Sequence, residues 1–125
     1  MNKPGPKPTH NYDKDMYLRQ YLNLLGRLEV LNRQYMEPKA ISYSTAPKGR
    51  SDRTLNDYIQ EKEKIEDTLR HIERVISLVE DTNQKSVLEL YYLYGWTLES
   101  IAAEMNYSVS SIKWIKRQAL TVIDI

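Results

Sequence analysis

Lys113, Lys116 and Arg117 fall within five residues, beside Ser110, Ser111 and Trp114, in a stretch that holds no acid. Cations and hydroxyls grouped this way suit an anionic partner. They donate to phosphate oxygens, and Arg and Lys also reach the acceptors on the edge of guanine. Other chemistries find less to work with. Cysteine is absent, which excludes disulfides, thiol catalysis and cysteine-ligated zinc. The two histidines, His10 and His71, cannot build a histidine metal site unaided. The densest carboxylates, Glu61, Glu63, Glu66 and Asp67, are interleaved with Lys62 and Lys64 and read as a solvated helix face. Glu99 and Glu104 read the same way. Gly5, Gly26, Gly49 and Gly95 are scattered, so no glycine-rich phosphate loop is formed. No catalytic residue, metal or cofactor is expected, and the chain is not read as an enzyme.

The cations need a rigid mount, and the residues around them supply one. Leu98, Ile101, Ala102 and Met105 share one helix face by i, i+3, i+4, i+7 spacing, with Thr97 placed to cap its start. Ala102 is small where a following helix would cross. Asn106 comes next, and among non-glycine residues Asn most readily takes the left-handed conformation of a tight turn. Tyr107 is expected to plug the corner and Ser108 to cap a last helix, whose buried face is Ile112, Ile115 and Ala119. The outer face then carries Ser110, Ser111, Lys113, Trp114 and Arg117, with Lys116 at its edge. Two short helices meeting at such a corner have the layout of a helix-turn-helix, whose second helix fits the major groove of DNA.

Upstream, Val87, Leu88, Tyr91 and Tyr92 mark a helix that stops at Gly95. Residues 1–12, with three prolines, read as a disordered tail. From Asp13 to Met36, Tyr17, Tyr21, Leu24, Leu28, Leu31 and Tyr35 follow the 3.5-residue spacing of a packed helix pair. Leu18, Leu22 and Leu25 widen that stripe. Residues 38–51 read as a loop bearing Lys39, Lys48 and Arg50, and Ser51 or Asp52 caps a second helix running to about Glu80. Its seam is Ile65, Leu69, Ile72, Ile76 and Val79, continued by Tyr58 or Leu55. The spacing does not decide whether the two helices pair within a chain or between chains. An all-α fold follows: a long N-terminal helical hairpin or coiled-coil segment at 13–81, then a C-terminal tri-helical helix-turn-helix domain at 82–125.

Net charge is only +1, so its distribution matters more than its sum. Residues 54–81 carry an acidic excess, whereas 113–117 carry three cations and no acid. There is no signal peptide pattern and no 18-residue apolar run, so no membrane partner is expected and the place of work is the cytoplasm.

Val87-Leu88, Tyr92, Gly95, Leu98-Glu99-Ser100-Ile101-Ala102 and Ser108-Val109-Ser110-Ser111-Ile112-Lys113 resemble the fourth region of the sigma-70 family of transcription initiation factors. The longer arrangement is similar to small phage and prophage late transcriptional regulators of the ArpU and RinA kind. The family's turn usually has Gly where this chain has Asn106, a tolerable change, and Trp114 at an outward position is unusual for it. The resemblance implies a promoter-binding regulator in a bacterial host rather than a complete initiation factor. It places Ser110, Ser111, Lys113, Trp114 and Arg117 at base edges or phosphates, and Lys116 and Lys85 at phosphates. Double-stranded DNA is the implied partner, with the long helices serving RNA polymerase contact or a homodimer. Two alternatives stand beside it: a DNA-packaging component of the small-terminase type, and an adaptor whose basic helix binds protein.

Overall fold

The computed structural model describes residues 10–36 and 55–125. The expected loop at 38–51, its cations, the Ser51 or Asp52 cap and the first nine residues of the tail lie outside them. The described residues are helical, with no strand: α1 (Asn11–Met36), α2 (Leu55–Ser77), α3 (Thr82–Leu88), α4 (Leu98–Met105) and α5 (Val109–Val122). α1 begins two residues before the expected Asp13.

α1 and α2 pair within the chain as an antiparallel hairpin. Tyr35 stacks on Tyr58 with ring centroids 4.8 Å apart. Arg27 pairs with Glu61 at 2.8 Å. Toward the other end, the Tyr17 hydroxyl and His71 Nδ1 are hydrogen-bonded at 2.5 Å, and Tyr21 donates to Glu73 at 2.5 Å. Burial and that bond push the Tyr21 pKa up to about 12. The seam of α2 is buried as its spacing predicts, with Tyr58 and not Leu55 extending it. On α1, Leu18 is fully buried, but Leu22 and Leu25 are exposed and do not widen the stripe. Leu25 lies one heptad from Leu18 on the same face, so the two differ in the cover at their level of the helix and not in the side they point to.

α2 ends at Ser77, short of the expected Glu80. The Ser77 hydroxyl donates to the Arg74 carbonyl at 2.8 Å, one of the local bonds through which serine competes with helix continuation. Val79 turns back into the core while Leu78 points to solvent. Asp81 then caps α3, its carboxylate accepting from the Gln84 N–H at 3.0 Å.

α3 does not stop cleanly. It runs into a π-helical turn, Glu89–Leu93, closed by Tyr94 N–H to the Glu89 carbonyl at 3.1 Å and Trp96 N–H to the Leu90 carbonyl at 2.9 Å. Tyr91 and Tyr92 stand edge to face there, with centroids 4.9 Å apart. Gly95 follows at φ +76°, where a β-carbon would sit 3.0 Å from a methyl of Leu22.

Two apolar clusters result. The smaller one joins Val87, Ile101, Ala102, Ile112 and Ile115 inside the helix-turn-helix. The larger one joins the hairpin seams to Leu88, Tyr92, Ala119, Leu120 and Ile123. The hairpin and the end of α5 therefore share one core, which fixes the orientation of α5 relative to α1.

Candidate nucleic-acid interface

The corner forms by local chemistry. Thr97 Oγ1 accepts from Ser100 N–H at 3.1 Å, and α4 runs over Leu98–Met105. Asn106 sits at φ 62°, ψ 42°, in the left-handed region. The helix end is closed by Tyr107 N–H to the Ala102 carbonyl at 2.9 Å, the bond pattern typical of a left-handed C-terminus. Ser108 Oγ accepts from Ser111 N–H at 3.0 Å and starts α5. Ile101 and Ala102 face Ile112 and Ile115, with Leu98 and Met105 partly buried beside them.

Tyr107 does not plug the corner. It is 40% exposed, and its hydroxyl accepts from Asn83 Nδ2 at 3.0 Å. Ile112 and Ile115 fill the interior, so the ring lies outside and ties the turn to the start of α3.

On α5, Ser110, Lys113, Trp114 and Arg117 are exposed and Ser111 is half-buried. Trp114 is 56% exposed, so it does not pack on the hairpin. Lys85, on α3, is half-buried. Lys116 is placed differently from its neighbours. Its ammonium lies 3.4 Å from Asp15 and over the ring of Tyr91, 4.9 Å from the centroid. Its expected place at a phosphate gives way to a contact with α1, because position 116 is on the side of α5 that faces the hairpin.

Asp15 and Arg19, which spacing did not single out, hold this joint together with Tyr91 and Tyr92. Asp15 accepts from Arg19 at 2.7 Å and from the Tyr92 hydroxyl, and Arg19 donates on to the Tyr91 hydroxyl at 2.9 Å. Burial disfavours the Asp15 carboxylate. Hydrogen bonds from Arg19 and Tyr92, with the charges of Lys116 and Arg19, outweigh it and hold its pKa below the usual 3.8. Burial and the bond to Asp15 raise the Tyr92 pKa well above the ordinary tyrosine range.

Lys14 makes the second clamp. It is 8% exposed and donates to the carbonyls of Leu120 and Ile123, both at 3.0 Å. A helix leaves its last carbonyls unpaired and partly negative, so a buried ammonium is well matched there. Asn11 adds a bond to the Arg117 carbonyl at 3.3 Å. One signal for Lys14 was present in the sequence: it precedes Leu18 and Tyr21 on the buried face at i, i+4, i+7.

The helix-turn-helix, clamped at the base of its second helix, leaves Lys113 and Arg117 exposed on its outer face, side chains whose chemistry suits a polyanion. Residues 81–123 match the family Sigma-70, region 4. The sigma-70 region 4 match spans the C-terminal third of the chain, from the Asp81 cap to Ile123, and so contains the corner and the whole of α5. It supports a DNA-binding helix-turn-helix of the sigma-70 region 4 type. No curated protein and no solved structure is significantly similar to the chain. Among the described residues no group of His, Asp and Glu is placed to hold a metal ion. Nor is any helix among them long and apolar enough to cross a membrane.

Proposed function

We propose that the chain is a sequence-specific DNA-binding transcriptional regulator of phage or prophage origin, acting in the cytoplasm of a bacterial host. The outer face of α5 carries this reading: Ser110, Lys113, Trp114 and Arg117 exposed on a helix without an acid. The major groove of B-DNA, about 12 Å wide, admits an α-helix. In this reading α5 enters it N-terminal end first. Lys113 and Arg117 then meet guanine acceptors or phosphates, and Ser110 and Ser111 meet the backbone near the helix start. Lys85 on α3 contacts a flanking phosphate. The phage origin rests on the resemblance of the whole helical arrangement to the late regulators.

The hairpin supplies the second contact. Its seams are occupied within the chain, which leaves the outer side of α1, where Met16 and Val30 are exposed. That side serves contact with RNA polymerase or with a second copy of the chain. A dimer would bind paired half-sites about one helical turn apart. A monomeric mass in light scattering, at concentrations where DNA binding is undiminished, removes the dimer.

Sequencing the genomic DNA retained by the purified protein tests the main proposal. Enrichment of a common sequence at promoters is expected. Recovery of fragments in proportion to the input contradicts it.

A further inference from the structure

Ser110, Trp114, Arg117 and Thr121 recur at i, i+4, i+7 and i+11, so they form one exposed stripe along α5. Trp114 occupies its middle, with Lys113 and Arg117 to either side. On one side it borders a shallow cleft lined by Asp81, Asn83, Gln84, Tyr107, Ser111 and Ile115. An indole there, 56% exposed, leaves a large apolar surface in water, and covering it is favourable. The cations beside it make the cover an anionic surface.

The chemistry of the indole is narrow: an apolar double ring with one N–H donor and no acceptor. In an intact duplex the base faces are stacked, so only base edges are offered to it. In the major groove cytosine shows a donor, guanine shows two acceptors, and adenine shows an acceptor and a donor. Thymine alone shows an acceptor, O4, beside an apolar group, its 5-methyl. Resting on the DNA-reading role of α5, we propose that Trp114 is a specificity residue that selects thymine. Its ring covers the 5-methyl group, and its Nε1–H is free to donate to an acceptor such as O4. Lys113 and Arg117 hold the adjoining strand close enough for the ring to be desolvated.

The test uses the full chain and duplexes that it selects from a random pool. Each thymine of the selected site is replaced in turn by deoxyuridine, which removes the methyl group and keeps O4. Burial of one methyl corresponds to about fourfold in affinity, so one replacement is expected to weaken binding by about that factor. The same replacement should leave Trp114→Ala unaffected, while Trp114→Phe, which keeps an apolar ring, retains the preference for thymine. Because Trp114 is exposed, circular dichroism of both variants should match the parent. Equal binding of every deoxyuridine duplex, or an unchanged preference in Trp114→Ala, overturns the assignment while leaving DNA reading intact. Failure to enrich any sequence overturns both.

Discussion

Lys116 lies 3.4 Å from Asp15, so one cation of α5 is committed to α1 and does not face outward. The pair separates two kinds of α5 cation that sequence alone presents as equivalent. Lys116 orients the helix, whereas Lys113 and Arg117 are open to a partner.

Lys116→Ala should therefore act mainly on stability. Losing a charge-assisted contact beside a half-buried carboxylate costs about 1–2 kcal/mol, read as a lower midpoint in urea. The dependence of DNA affinity on salt should stay close to that of the parent. A salt slope reduced by about 0.9, the mark of one lost phosphate contact, would return Lys116 to the outward set.

Asp15 gives the joint a pH dependence of known sign. Its folded pKa is below the unfolded value, so its contribution is full above that value and is lost as pH falls through the folded pKa. Unfolding measured from about pH 6 to about pH 3 should show a steeper acid loss for the parent than for Asp15→Asn. Equal acid loss in both proteins would mean that Asp15 is not held ionised by Arg19, Tyr92 and Lys116.

Lys14→Met keeps most of the buried stem but leaves the Leu120 and Ile123 carbonyls without their donor. Leaving buried acceptors unsatisfied costs about 1–3 kcal/mol. Amide exchange should rise first in the last turn of α5 and at the start of α1, where the clamp is lost. Uniform exchange across the chain would contradict a local role.

Asn106 should discriminate between substitutions by backbone alone. Asn106→Gly fits φ 62° without strain and should leave the melting temperature equal or slightly higher. Asn106→Val puts a β-branched residue into the left-handed region, at a cost of about 1–2 kcal/mol or more. Similar melting temperatures for the two variants would show that the corner does not depend on this conformation.

The corner was legible in the sequence because its determinants are local. Thr97, Asn106 and Ser108 act within four residues of themselves, and α4 spans the Leu98–Met105 that its periodicity marks out. The seams of α1 and α2 were legible as apolar rows, but a row does not say which partner it meets. The pairing within one chain is a tertiary fact. Tyr107 was misplaced because an aromatic residue after a turn has two options, and Ile112 and Ile115 already fill the interior. The joint of Asp15, Arg19, Tyr91, Tyr92 and Lys116 joins residues a hundred positions apart, beyond any periodicity. The π-helical turn that brings Tyr91 and Tyr92 to it carries no sequence mark of its own.

The salt dependence of duplex DNA binding, compared between the parent and Lys113→Ala/Arg117→Ala, tests the central claim most directly. Two lost contacts should lower the slope of log affinity against log salt by about 1.8 and weaken binding at low salt. The circular dichroism spectrum should be unchanged, since both side chains are exposed. Unaltered affinity and slope in the double variant would contradict the reading of α5 as the DNA-contacting helix.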